Sequence, residues 1–140
     1  MTDCIFCKIA KKEIPAEVIY EDKEALAFLD VNPLAPGHTL VIPKEHADGI
    51  AALPERSVGP IFLTVRKITD MLQNTLLPEG FTIGINQGPA SRGALEHLHI
   101  HVIPRWHADD GGSLHSVVNN PPKESLQEIR EKISKANDGN

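Results

Sequence analysis

The chain has 140 residues, enough for one domain with its own core. Its net charge of −5 and pI near 5.8, with no block of Lys and Arg, exclude a duplex-binding surface. A single nucleotide needs only local donors and is not excluded. No run approaches the roughly 18 apolar residues of a membrane span, and Met1-Thr2-Asp3-Cys4 lacks a basic region followed by an apolar stretch. A cytoplasmic protein that binds neither nucleic acid nor membrane is expected.

Residues 1–10 form an opening segment that holds both cysteines, Cys4 and Cys7, in a C-x-x-C spacing. In a reducing compartment that spacing points to metal or redox chemistry before a structural disulfide. Structural zinc takes four ligands and only two are local, so the others must come from far away. His46 and His97 are the candidates. A redox pair lacks the βαβ surroundings it would need, and two idle thiols are the remaining alternative.

Strands are predicted over 16–20 and 25–30, joined at Glu21-Asp22-Lys23-Glu24, and over 39–42 after the Pro36-Gly37 turn. Asp30 ends the second strand, where a carboxylate suits a pair of hydroxyls. Phe6 and Phe28 are either core or the flanks of a flat ring. His38 precedes a buried strand and reads as structural. Over 57–77 the apolar residues Val58, Ile61, Phe62, Val65, Ile68, Leu72 and Leu76 recur every three or four positions, predicting a helix with Pro60 tolerated near its start. A strand follows over 81–86. The loop from Gln87 to Glu96 is rich in small residues, which lets backbone N–H groups approach an anion, although an ordinary hairpin loop has the same composition.

Residues 97–103 read His97-Leu98-His99-Ile100-His101-Val102-Ile103. Strict alternation is the period of a strand, so the three imidazoles share one face and the aliphatic residues bury the other. On one strand the outer two lie about 13 Å apart, too far for all three to hold a single ion easily, although two of them could. His99 has an imidazole on either side along the same face. It is the best-placed nucleophile, since neutral imidazole keeps a free lone pair at pH 7 once its other nitrogen is fixed by a hydrogen bond. Beyond a polar loop, a short strand is expected over 113–118 and a helix over 121–137, capped by Asn120 with Pro121-Pro122 in its first turn and striped by Leu126, Ile129 and Ile133. His107 and His115 read as surface residues.

The alternating run, followed by Pro104-Arg105-Trp106, resembles the histidine-triad (HIT) superfamily of nucleotide hydrolases and transferases, in particular bacterial and archaeal members. Cys4 to His46 and Asn86 to Trp106 resemble family blocks, so the likeness spans nearly the whole chain as a single HIT domain over 1–140. It implies an α+β fold in which an antiparallel sheet of about five strands is packed by one long helix, with a C-terminal helix added. It also implies a symmetric homodimer built with the long helix and the strand after it.

The resemblance further implies a purine nucleoside phosphoramidase-like hydrolase that releases a nucleoside monophosphate through a nucleotidyl-histidine intermediate on His99. His101, His97 and Asn86, eleven positions before His97, support it. Phe6, Phe28 and Asp30 correspond to the nucleoside pocket, and Cys4, Cys7 and His46 to a zinc site that His97 would complete. A dinucleoside polyphosphate hydrolase or phosphorylase, and a non-catalytic, zinc-stabilised nucleotide-binding module, are the alternatives. The chain departs from the pattern where the family usually has Gly-Gln and then a small or hydroxyl residue, for here Arg92, Gly93 and Ala94 stand, and with Asn86 these three are expected at the nucleotide. In place of the missing glutamine, Arg92 is expected to give the phosphate a charged donor.

Overall fold

The computed structural model describes residues 3–93 and 95–138. Ala94, assigned above to the nucleotide, lies outside the described residues. The chain forms two compact units, Met1–Asp109 and Asp110–Asn140.

The first unit is built on a sheet of β1 (Val18–Glu21), β2 (Ala25–Leu29), β3 (Thr39–Pro43), β4 (Gly80–Gly84) and β5 (Ile100–Arg105). All neighbours are antiparallel, in the order β1-β2-β3-β5-β4. The long helix α2 (Glu55–Leu76) packs on one face, where Ile61, Val65, Ile68 and Leu72 meet Val41, Leu98, Ile100 and Val102. Leu98, Ile100 and Val102 are the aliphatic residues of the alternating run, and each buried side chain of this size contributes roughly 1.5–3 kcal/mol. Gly37, at φ +83°, turns the chain into β3 in a backbone conformation that strains residues with a Cβ, and an added Cβ would also displace the Leu76 side chain.

The other face carries a second core of Phe6, Ile9, Leu26, Phe28, Leu40 and Ile42. Phe6 and Ile9 belong to a short helix, α1 (Ile5–Ala10), that the sequence reading did not anticipate. Six residues are too few to show a helical period. What defines α1 is its cap: Cys4 Sγ accepts from Cys7 N–H at 3.3 Å, which turns both thiols to the same side.

The strand expected over 97–103 begins three residues later. Leu98 N–H donates to Ala47 O at 2.7 Å, outside the sheet ladder, so 97–99 lead into β5 without pairing. It also runs past Pro104, because beyond Val102 β5 pairs only with β4 and the missing N–H of proline faces no partner strand. β4 likewise stops at Gly84, leaving Asn86 in the loop.

In the second unit, the strand expected over 113–118 is instead a single 3-10 turn, Leu114–Ser116, closed by Ser113 and Ser116 hydroxyls. The last helix, α3, runs Leu126–Ala136 rather than 121–137. Ser125 is its cap, with Oγ accepting from Glu128 N–H at 3.1 Å, which displaces Asn120 and leaves Pro121-Pro122 outside the helix. Among the described residues no helix is long and apolar enough to cross a membrane.

Candidate active site

The sheet face under α1 carries His99 and His101, and with Phe6 and Phe28 they line a cavity of about 420 Å³. Ile5, Ile9, Ile14, Leu40 and Leu95 complete its apolar wall, and Asp30 and Asn32 stand on its polar side. Phe6 packs edge-on against Phe28 at 5.7 Å and against His99 at 5.1 Å between ring centroids. A mostly apolar cleft of this size with a few convergent polar groups is the form of a small-molecule site.

Hydrogen bonds fix the protons of its imidazoles. His99 Nδ1 lies 2.7 Å from His97 O, and only an N–H can face a carbonyl, so Nδ1 carries the proton and Nε2 keeps its lone pair. His38 Nδ1 accepts from Leu34 N–H at 3.1 Å, which puts that ring's proton on Nε2, 2.9 Å from His101 Nδ1. His38 therefore donates to His101, and His101 carries its own proton on Nε2. The two rings on the cavity wall thus differ: His99 offers an electron pair and His101 a donor.

His38, read above as structural, is indeed buried, at 2% exposure, but it also sets the tautomer of His101. A polar side chain beginning an apolar strand was its only trace in the sequence. Pairing of Leu40 with His101 in the β3–β5 register is what brings the two rings together. Asp30 is half-buried, with Oδ1 accepting from Asn32 N–H at 2.9 Å and Oδ2 3.5 Å from His38 Nε2.

Burial, with His99 and His38 alongside, pulls the His101 imidazole down from 6.5 to about 4, against the opposing pull of Asp30. Burial lowers His38 as well. An unfolded chain takes up these protons near the ordinary value, whereas the folded one refuses them. Stability that depends on the neutral rings is therefore intact above about pH 6.5 and is lost as the pH falls from there to about 4. Melting temperatures followed across that window should fall more steeply for wild type than for His101→Gln. Parallel slopes would count against a buried neutral His101.

In the loop from Gln87 to Glu96 part of the backbone is already engaged. Gly88 (φ 81°) and Arg92 (φ 61°) bracket a 3-10 turn, Pro89–Ser91, and the N–H groups of Ser91, Arg92 and Gly93 donate to Gly88 O, Pro89 O and Gly88 O. Those three donors are engaged within the loop rather than presented to an anion. Gly93 is required there, because a Cβ would sit 2.7 Å from Asn86 O. Asn86 and Arg92 are exposed, and neither lines the cavity.

A second cluster lies behind Phe6. Cys4 Sγ, Cys7 Sγ, His46 Nδ1 and His97 Nδ1 all lie within 4.8 Å of one another. His97 Nδ1 is 3.2 Å from Cys4 Sγ, 3.5 Å from Cys7 Sγ and 3.1 Å from His46 Nδ1, which is itself 3.3 Å from Cys7 Sγ. His97 Nε2 faces Pro43 O at 2.9 Å and His46 Nε2 faces Asp48 Oδ1 at 2.8 Å. Both rings thus carry Nε2–H and turn bare Nδ1 lone pairs toward the two thiols, so four metal-ligating atoms converge on one point. Bonds of about 2.0–2.3 Å to a tetrahedral ion give edges of roughly 3.3–3.7 Å, close to the separations found, and the outer hydrogen bonds are those that orient metal-binding histidines. Burial and the neighbouring Cys4 raise the Cys7 thiol, and burial lowers His97 toward its neutral, ligating form. Both cysteines are free thiols.

An antiparallel sheet that sends alternate imidazoles into an apolar cleft is the architecture of a histidine-triad domain. A model of the HIT domain matches residues 11–108, and the chain belongs to that family. An adenosine 5'-monophosphoramidase from Schizosaccharomyces pombe is 39% identical over 108 residues, 77% of this chain and 78% of that protein. The crystal structure of a HIT family member from Bacillus subtilis superposes with a TM-score of 0.84 at 35% identity, covering 95% of this chain and 96% of that one. A zinc-bound histidine triad family protein from Mycobacterium smegmatis does so with a TM-score of 0.73 at 30% identity, covering 96% and 98%.

Proposed function

We propose that this chain is a nucleotide hydrolase that cleaves purine nucleoside phosphoramidates and releases the nucleoside monophosphate. One observation carries the reading: His99 presents a bare Nε2 to an apolar cavity while His97 O holds its Nδ1–H. The base enters the apolar cavity against the wall that Phe6 and Phe28 form together, and Asp30 accepts from the ribose hydroxyls. His99 Nε2 attacks the α-phosphorus, a P–N bond to the ring forms, and the bond to the leaving nitrogen breaks as that nitrogen takes a proton from solvent and departs as the amine. His101 Nε2–H donates to the phosphoryl oxygen as charge develops, a preorganised contact that His38 maintains. Water then attacks phosphorus and gives up a proton to solvent, the P–N bond to His99 breaks, and the ring returns neutral with its Nε2 bare. Asn86 orients the loop beside this site.

The tetrad holds zinc, with Cys4, Cys7, His46 and His97 as its ligands. The ion supplies structure, fixing α1 against the end of β3. The relative from Mycobacterium smegmatis, itself zinc-bound, supports this assignment. A homodimer forms through the exposed side chains of Phe62, Leu63 and Ile83 on α2 and the edge strand β4.

Turnover of an adenosine phosphoramidate and of a diadenosine polyphosphate, each followed by AMP release, tests the reading. Faster cleavage of the first supports it. Faster cleavage of the second moves the assignment to dinucleoside polyphosphates, and nucleotide binding without turnover of either makes the chain a binding module.

Arg92 stands in the left-handed region at the end of the loop turn, and it donates to the phosphate or leaving group during turnover. Losing one charge-assisted hydrogen bond is worth about 1.5–3 kcal/mol, so Arg92→Ala should lower kcat/KM roughly 10- to 100-fold. Steady-state kinetics with unchanged kcat/KM would remove Arg92 from the site.

A further inference from the structure

The metal tetrad and the nucleoside cavity are built from shared parts. His97 aims Nδ1 at the two cysteines and His46, and its backbone oxygen, 2.7 Å from His99 Nδ1, sets the ring that faces the cavity. Phe6 stands on α1 between Cys4 and Cys7, with its ring 5.8 Å from that of His97 and 5.1 Å from that of His99. A smaller cavity of about 250 Å³ opens on Cys4 and His46, and Ile5, Phe6 and Leu95 wall it. The same three residues wall the larger cavity. One thin partition therefore separates the ion's donors from the base.

That partition is mostly α1, a helix of 6 residues. A helix so short has no stability of its own and keeps its place only through what anchors it. Its anchors are Phe6 and Ile9 in the core and the thiols of Cys4 and Cys7. A ligand in either cavity bears on the same Ile5, Phe6 and Leu95, so it restrains the wall that the other ligand meets.

We propose that the metal ion and the nucleotide bind cooperatively, with Phe6 and His97 as the positioning residues that couple the tetrad to the nucleoside cavity. The proposal rests on the zinc and nucleotide assignments of the preceding subsection. By linkage the coupling is reciprocal: the factor by which AMP tightens zinc equals the factor by which zinc tightens AMP.

The test uses the full chain, stripped of metal and then titrated with zinc against a chromogenic chelator, without AMP and with AMP at saturation. The zinc dissociation constant is expected to fall about fivefold or more when AMP is present, with an equal gain in AMP affinity on zinc loading by calorimetry. Phe6→Leu keeps an apolar side chain on α1 but removes the ring; with AMP raised to a level that saturates the variant, its coupling factor should approach one, and a factor equal to that of wild type would remove Phe6 from the coupling. Zinc affinity that ignores AMP in wild type overturns the coupling alone. Failure of the zinc-loaded chain to bind AMP overturns the nucleotide assignment along with it, and failure to bind zinc overturns the tetrad assignment along with it.

Discussion

Replacing His99 with alanine should reduce AMP release from an adenosine phosphoramidate by on the order of 10⁴-fold or more, while AMP affinity falls less than about tenfold. The split follows from what the ring contributes. It supplies the attacking Nε2, which no neighbour replaces: His101 has its proton on the cavity-facing nitrogen, and His97 is buried with Nδ1 turned to the cysteines. It supplies only part of the cavity wall, which Phe6, Phe28 and Leu40 maintain without it. Single-turnover kinetics and calorimetry of the same variant measure the two effects separately. A variant that retains a tenth of wild-type turnover would mean that another group attacks phosphorus.

Removing the metal is the second large effect expected. An ion bound only by the folded chain and supplied at about 1,000 times its dissociation constant stabilises by about 4 kcal/mol. For a chain of this size that corresponds to a fall of roughly 10–20 °C in Tm on chelation. Cys7→Ser in the presence of zinc should melt close to the chelated wild type and stop responding to added zinc, because a hydroxyl is a poor substitute for a thiolate and the remaining three donors leave the site open. Scanning calorimetry on wild type with zinc, wild type with chelator and Cys7→Ser with zinc settles the matter. Equal melting temperatures in all three would contradict a structural ion.

Parts of this site can be read from the chain before any fold is known, and the division has physical reasons. The alternation from His97 to Val102 reports side-chain direction whether or not the residues are in a ladder, so the face of His99 and His101 was legible although β5 starts only at Ile100. The C-x-x-C spacing likewise announced two donors, because one helical turn brings positions i and i+3 together whatever surrounds them. Its partners His46 and His97 entered only as candidates, since they arrive through the sheet, 39 and 90 positions from Cys7. His38 was read as structural because its link to His101 exists only in the β3–β5 register, which no local pattern encodes. The backbone of the loop from Gln87 was not legible either: its small residues suit anion binding by composition, whereas two positive φ angles engage the N–H groups of Ser91, Arg92 and Gly93 within the loop. At the carboxyl end, Pro121-Pro122 suggested an early helix start, and Ser125 provides the stronger cap four residues later.

The central claim is that His99 becomes covalently joined to the nucleotide. Intact-mass analysis of wild type and His99→Ala, mixed with an adenosine phosphoramidate and quenched in denaturant at alkaline pH, where a histidine P–N bond survives, tests it most directly. Wild type should gain the mass of one adenylyl group, mapped to the peptide that contains His99, and the variant should gain none. AMP release by wild type with no adduct at any quench time, together with continued release by His99→Ala, would contradict the account and point to direct attack by water.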